Sequence, residues 1–148
     1  MTLEQNITNA LKEAMRAKNQ GALRALRAIK AEILLFNTSG SGQVLDKTAE
    51  IKILQKMVKQ RKDSLTIYTE QGREDLAAIE REEIAVIESF LPTQLDEAAL
   101  TSFVTALIGE LDASGMKDMG RVMAEANKRL AGQADGKSIA SVVKTLLA

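Results

Sequence analysis

The sequence contains no cysteine and no histidine, and these absences exclude several kinds of chemistry. Without cysteine the chain cannot form a disulfide, a thiolate metal site or a thiol nucleophile. Without histidine it lacks the commonest general base and the commonest metal ligand. We therefore expect no metal and no cofactor, and we assign no catalytic residues.

Long hydrophobic runs are also missing from the sequence. No apolar stretch approaches the ~20 residues that a membrane-spanning helix needs. The N-terminal segment carries Glu4 early and has no apolar central region, so its composition differs from that of a signal peptide. We therefore expect a soluble, cytoplasmic protein that does not contact a membrane.

Aromatic residues make up only 3% of the chain, whereas hydrophobic residues as a whole make up 45%. A packed core is therefore expected, built from aliphatic side chains and methionine rather than from rings. The 20 basic and 20 acidic residues balance, but they are unevenly distributed. Residues 1–72 carry a net charge of +5 and residues 73–91 a net charge of −4.

The segment from Ile51 to Phe90 predicts two amphipathic helices joined at Gly72. Apolar residues recur every three or four positions on both sides of the glycine, which is the period of an apolar helical face. Each face contains one charge, Arg61 in the first helix and Glu83 in the second, each eleven residues from Gly72. Antiparallel helices would bring the two charges to the same level. We predict an Arg61–Glu83 ion pair that fixes the register of the helices, because an unpaired charge in such an interface costs several kcal/mol.

Cap and turn residues mark the helices that precede this segment. Thr2 and Gln5 have the spacing of a capping box for the first helix. Asn19 and Gly21 predict the end of that helix and a tight turn. A second helix is expected from about Ala22 to Phe36.

The composition from Asn37 to Gln43 predicts a flexible loop, and Asp46 is expected to cap the third helix. Pro92 is the only proline, and the residue before a proline resists helical angles. We place a domain border at this point, which gives an N-terminal helical domain over 1–91 and a C-terminal domain over 95–148.

Three shorter helices are expected in the C-terminal domain. Asp96 caps one that ends near Asp112, Asp118 caps a second that stops at Gly132, and the third begins near Gly136. No segment shows the period of two that a half-buried strand requires. The predicted architecture is all-α, with long helical hairpins followed by a compact three-helix domain.

These features together resemble the YqeY-like proteins over nearly the whole chain. The matching positions are Leu26-Arg27, Ile29-Lys30, Lys59-Gln60-Arg61, Tyr68, Gly72-Arg73, Asp75-Leu76, Glu80, Glu83, Leu91-Pro92, Asp118 to Met123, Gly132 and Ala134 to Gly136. The family is similar to the tail domain of GatB, a subunit of the tRNA-dependent amidotransferase, in which the tail helps to hold tRNA. The resemblance implies an all-helical fold and a link to tRNA. It does not imply catalysis by this chain, because the label of a carbon–nitrogen ligase with glutamine as amido donor would belong to the larger enzyme.

A phosphate-loop pattern over residues 131–138 (AGQADGKS) is rejected as a nucleotide site. That motif works between a strand and a helix of an α/β sheet, and no strand is expected here. The start of the last helix nevertheless has free N–H groups beside Lys137 and Ser138, and helix N-termini attract phosphate. The preceding helix repeats this arrangement with Lys117, Gly120 and Arg121. The residues proposed for RNA contact are Lys117, Gly120, Arg121, Lys128 and Lys137, and the alternative is that Gly120 only permits close helix packing.

Two further charge clusters have structural alternatives. Lys52, Lys56, Lys59 and Lys62 share one helix face and, with Arg24, Arg27 and Lys30, could form a patch for polyanions. The alternative is a solvated face with local ion pairs. Glu80, Glu82 and Glu83 could hold a metal, but nearby arginines explain them better, since carboxylate-bridged metal bundles also use histidine.

We therefore predict a non-catalytic helical accessory protein linked to tRNA or the translation machinery, acting as a monomer. The first alternative is a protein-interaction adaptor that uses an apolar groove between the two domains. The second is an amidotransferase-like enzyme.

Overall fold

The computed structural model describes all residues from Met1 to Ala148, and it contains helices and no β-strand. The all-α prediction is therefore confirmed. A short 3-10 helix at Met116–Asp118 precedes α6. The helices are α1 (Leu3–Ala17), α2 (Gln20–Thr38), α3 (Lys47–Glu70), α4 (Glu74–Glu88), α5 (Glu97–Glu110), α6 (Met119–Arg129) and α7 (Gly136–Leu147).

Spatial contacts divide the chain into two compact units, each with its own core. The N-terminal unit covers Met1–Leu91 and the C-terminal unit covers Pro92–Ala148. The first core is built by α1 to α4 around side chains such as Ile29, Leu54 and Ile87. The second is built by α5 to α7 around Val104, Val122, Ile139 and Val143.

The α3–α4 hairpin makes the most extensive helix pair of the N-terminal unit, and α2 packs against both α1 and α4. Gly72 joins the hairpin with a φ of +70°, a backbone region that glycine adopts without steric cost. The N–H of Arg73 donates to the carbonyl of Tyr68 at 2.8 Å, which satisfies one of the last carbonyls of α3.

Side-chain caps fix most helix starts where the sequence indicated them. Thr2 and Gln5 form the expected capping box, with both reciprocal hydrogen bonds present. Asp46 accepts from the N–H of Ala49 at 2.8 Å. Asp96 makes the corresponding bond at the start of α5.

The boundary between α1 and α2 lies about two residues earlier than predicted. Lys18, not Gly21, takes the left-handed conformation that ends α1, with a φ of 55°. Asn19 caps the start of α2 by accepting from the N–H of Ala22. Gly21 is buried inside the first turn of α2, because its missing side chain leaves space for the carboxylate of Glu82 from α4.

This contact predicts an unusual response to Gly21→Ala. Glycine-to-alanine changes within helices normally stabilise a protein by about 0.5–1 kcal/mol. Here the new methyl group would overlap the Glu82 carboxylate, so that side chain must shift, which disturbs its ion pair with Arg24 at 3.3 Å. We expect Gly21→Ala to lose the usual gain and to be about 1 kcal/mol less stable than Gly109→Ala in urea unfolding. Gly109 lies in α5 with open space at its Cβ position, so equal stability of the two variants would contradict this account.

In the C-terminal unit the start of α6 differs from the prediction. Asp118 precedes α6, but its side chain makes no capping bond to that helix. Its Oδ2 instead accepts from the N–H of Ser114 at 2.8 Å, which closes the preceding loop. The helix ends at Arg129 rather than Gly132, and Gly132 follows in the connecting turn with a φ of +81°.

Candidate functional site

Three of the five residues proposed for RNA contact are exposed cations that form no ion pair, although the charge of Lys117 helps to lower the pKa of Asp118. Lys117, Lys128 and Lys137 are exposed, and no carboxylate lies within ion-pair distance of any of them. Their ammonium groups are therefore available to an external anion. They belong to the 3-10 helix, to the last turn of α6 and to the first turn of α7, respectively.

Arg121 is committed to the structure of the C-terminal unit. Its Nη1 donates to the carbonyl of Leu111 at 2.8 Å, and its Nη2 lies 3.6 Å from Asp118 Oδ1. The bond from Ser114 holds the pKa of Asp118 below its usual value, and Arg121 lowers it further. Arg121 therefore joins the end of α5 to the start of α6, and it would have to give up these bonds to contact phosphate.

The glycine at the start of α6 does not serve close packing of helices. A side chain built at Gly120 would meet no atom within 4 Å, and the same is true of Gly136 at the start of α7. The structural alternative for Gly120 is therefore not supported. The start of α7 is less open to an anion, because Asp135 accepts there from the N–H of Ser138 at 2.6 Å.

The three free lysines are divided between the two ends of α6. Only residues 130–135 connect α6 to α7, so α7 begins near the end of α6. Lys128 and Lys137 therefore lie toward the same end, and Lys117 lies toward the other, in the 3-10 helix that α7 also contacts. An anion that bridged all three would have to be extended, as a nucleic-acid backbone is.

A second cluster lies at the α3–α4 interface, where the structure brings Arg61 and Glu83 together. Arg61 Nε and Glu83 Oε2 are 3.9 Å apart, and their side chains are only 18% and 14% exposed. Arg61 Nη1 also donates to the carbonyl of Met57 at 3.2 Å. The guanidinium is therefore mostly buried in the helix interface, and a carboxylate of the opposite helix provides its counter-charge.

Glu80, one of the acidic residues that the sequence analysis considered for a metal site, is a third member of this cluster. Its Oε2 is buried without a hydrogen bond, as is Arg61 Nε. Burial raises the pKa of Glu80, and the neighbouring Glu83 adds to the rise while Arg61 opposes it. Two carboxylates therefore share one guanidinium, an arrangement that the sequence could not specify because it depends on side-chain position. No group of three acidic side chains in the structure could hold a metal ion.

Part of the basic patch predicted on the N-terminal unit is engaged in ion pairs. Arg24 pairs with Glu82 at 3.3 Å, and Lys62 pairs with Glu88 at 3.6 Å. Lys52, Lys56 and Lys59 are exposed on α3 and have no partner in the protein. Arg27 and Lys30 of α2 are also exposed without ion pairs.

An apolar groove of about 630 Å³ lies within the N-terminal unit. Its walls come from α1 and from the end of α4, and its floor comes from Ala22 and Leu26 of α2. Small side chains such as Ala10, Ala14 and Ala85 leave the groove open, and Glu13 is the only charged residue that lines it. The groove contains no pair of groups suited to acid–base or nucleophilic chemistry.

These features define a helical protein with exposed cationic positions, an apolar groove and no clustered catalytic groups. Comparison with known proteins then identifies the family. The model of the YqeY family, described as Yqey-like protein, matches residues 4–147, so the chain belongs to the YqeY-like family.

Relatives of known name come from fungi. The chain is 30% identical over 127 residues to altered inheritance of mitochondria protein 41 of Pyrenophora tritici-repentis, which covers 84% of this chain and 68% of the relative. It is 32% identical over 141 residues to the protein of the same name from Clavispora lusitaniae, covering 93% and 80%. The match to the Lachancea thermotolerans protein is 32% over 112 residues, covering 74% and 59%.

The names of these relatives contradict the predicted cytoplasmic location. All three are named as mitochondrial proteins. The prediction rested on the absence of a signal peptide and of long apolar runs, and these absences do not distinguish the cytosol from the interior of an organelle. No helix of the structure has the length and apolar character that crossing a membrane requires.

Proposed function

We propose that this protein is a non-catalytic accessory of translation that contacts tRNA through its C-terminal unit. The observation that supports the proposal is that the arginines of this unit bind within the protein, whereas three of its lysines form no ion pair. Its two arginines are bound internally, Arg121 as described and Arg129 to Glu110 at 2.8 Å. Lys117, Lys128 and Lys137 are exposed and form no ion pair. The tRNA partner itself comes from the resemblance to the GatB tail, which stays a prediction.

Phosphate contact suits these lysines better than base recognition does. Lysine is a flexible point charge that binds phosphate without fixing orientation. No tryptophan occurs in the chain, and its few aromatic residues leave little surface on which bases could stack. The interaction should therefore be electrostatic and largely independent of sequence.

The proposal is tested by titrating bulk tRNA at several salt concentrations. The test variant carries Lys117→Gln, Lys128→Gln and Lys137→Gln. The control carries Lys12→Gln, Lys18→Gln and Lys144→Gln, three exposed and unpaired lysines outside the proposed contacts. Both variants change the net charge equally, so long-range attraction is matched.

We expect the test variant to reduce the slope of log affinity against log salt by about 2, since each lost phosphate contact contributes 0.7–0.9. The control should keep the slope of the unmodified protein. Absence of tRNA binding by the unmodified protein at low salt would reject the function. Equal behaviour of the two variants would reject the proposed contact residues.

The apolar groove favours a second candidate, a protein-interaction adaptor. Grooves of this kind accept the apolar face of an amphipathic helix. Ala85 is exposed in the groove wall, so Ala85→Arg should block such a helix without disturbing the core. A partner helix that binds the unmodified protein and this variant equally well would exclude the groove as its site.

A further inference from the structure

We propose that the outer face of α3 is a second RNA contact surface, formed by Lys52, Lys56 and Lys59. We call these three residues the α3 lysine stripe. They follow at steps of four and three residues, so they lie on one face of the helix over about 10 Å. The proposal rests on the proposed function, since it assigns a further contact for the same partner.

No carboxylate forms an ion pair with the lysines of the stripe. Asp46 caps α3, and Glu50 accepts from the N–H of Leu3 at 3.1 Å. Glu88 of α4 pairs with Lys62, which lies just beyond the stripe. Asp63 stands four residues after Lys59 but forms no ion pair with it. The positive charge of the stripe is therefore not neutralised within the protein.

The stripe opposes the stability of its own helix. Lys52 and Lys56 are four residues apart, and Lys56 and Lys59 are three apart. Like charges at these spacings destabilise a helix by about 0.2–0.5 kcal/mol for each pair. A solvated face without a binding role would gain from acidic residues among these lysines, but none of the residues from Lys52 to Lys62 is acidic. An external anion would relieve the repulsion between the lysines.

The chemistry of this face favours a nucleic-acid backbone over a lipid surface, and the proposed function makes that nucleic acid RNA. No aromatic residue occurs from Lys52 to Lys62, so the face offers no stacking platform for unpaired bases. The large apolar residues of the same segment are buried or half-buried, and none is exposed for insertion between lipids. Lysine side chains at these short intervals suit a continuous line of phosphates.

The experiment compares the variant Lys52→Gln, Lys56→Gln and Lys59→Gln with the same control triple, Lys12→Gln, Lys18→Gln and Lys144→Gln. Two quantities are measured for each protein, the salt dependence of bulk tRNA binding and the midpoint of thermal unfolding. We expect the stripe variant to lower the slope of log affinity against log salt by about 2 and to unfold at a slightly higher temperature. The control should change neither quantity appreciably.

A weaker salt dependence together with a higher unfolding temperature would show that the variant has lost a contact with RNA, because a damaged fold would lower the unfolding temperature. If the stripe variant binds tRNA with the slope of the unmodified protein, the second surface is rejected while the proposed function stands. If the unmodified protein does not bind tRNA, the proposed function and this inference are rejected together. If vesicles of phosphatidylcholine and phosphatidylserine bind the unmodified protein through these lysines while tRNA does not, the occupant is a membrane and the inference is overturned.

Discussion

Replacement of Ile87 by alanine is expected to lower the free energy of unfolding by about 2–5 kcal/mol. Ile87 is 0% exposed in the core of the N-terminal unit, on the helix that packs against both α2 and α3. The change removes buried methyl and methylene groups and leaves a cavity that three helices cannot close without moving. Urea unfolding followed by circular dichroism measures the loss, and the m-value should stay unchanged because the exposed surface is similar.

Ile79 provides a matched control on the same helix. It is 38% exposed, so Ile79→Ala removes the same atoms from a position that water already reaches. This control should cost less than about 1 kcal/mol. Similar losses for the two variants would mean that α4 does not present the face described here to the core.

The second large effect concerns the charge cluster at the α3–α4 interface. Arg61→Met is expected to destabilise the protein by about 1–3 kcal/mol at neutral pH, less than the loss for a fully buried pair because its members keep some exposure. The variant keeps an apolar side chain in the interface but leaves Glu80 and Glu83 facing each other without a counter-charge. Lowering the pH should reduce the loss, since protonation removes the repulsion between the carboxylates.

In contrast to Arg61→Met, Glu80→Gln is expected to raise the free energy of unfolding at neutral pH. The pKa of Glu80 is raised above its ordinary value of 4.5, so the folded state prefers the protonated carboxyl. The stability that this group contributes is fully present below pH 4.5 and is lost as the pH rises through the raised pKa. Glutamine imitates the protonated form and should keep that stability at all pH values. Unfolding curves from pH 4 to 7 should therefore converge for the two proteins at the acidic end and separate toward neutral pH, with Glu80→Gln the more stable.

The carboxyls whose pKa values are lowered do not obscure this comparison. Arg129 lowers the pKa of Glu110, and Arg81 lowers that of Glu74. The stability that these groups contribute is present above their ordinary pKa values and is lost as the pH falls through the lowered ones. Their contribution is also common to both proteins, so it cancels in the difference. Curves for Glu80→Gln that run parallel to those of the unmodified protein would show that Glu80 is not held in this environment.

Local signals explain how much of the fold the sequence could predict. Asp46, Asp96 and Gly72 act through hydrogen bonds and backbone angles within a few residues, and each has the expected role. The role of Gly21 was predicted wrongly because it depends on a contact with another helix. The carboxylate of Glu82 from α4 occupies the space that a side chain at position 21 would fill. Asp118 was misread because its carboxylate has two possible partners nearby and bonds Ser114 instead of capping α6. Neither choice is visible without the packed structure.

For the candidate site, too, local features could be predicted from the sequence, whereas contacts between distant residues could not. Candidate cations can be named from the sequence, because their identity and their spacing along a helix are visible there. This applies to Lys117, Lys128, Lys137 and the lysines on α3. Whether a cation is free depends on acceptors that are distant in sequence. The Glu82 carboxylate engages Arg24, and the backbone carbonyl of Leu111 engages Arg121. The groove of the N-terminal unit left no sequence signal, because small residues on three helices become a cavity only when the helices are assembled.

The pairing of helices that follow one another in the chain has a consequence for the speed of folding. α1 packs with α2, α3 with α4 and α6 with α7, so most contacting segments are separated only by short connections. Closing such connections costs little chain entropy, and proteins with mainly local contacts fold in microseconds to milliseconds. The slowest step in the N-terminal unit should then be the docking of α2 onto α4, whose partners are distant in sequence. A newly synthesised chain would form its first hairpin before the second has been made.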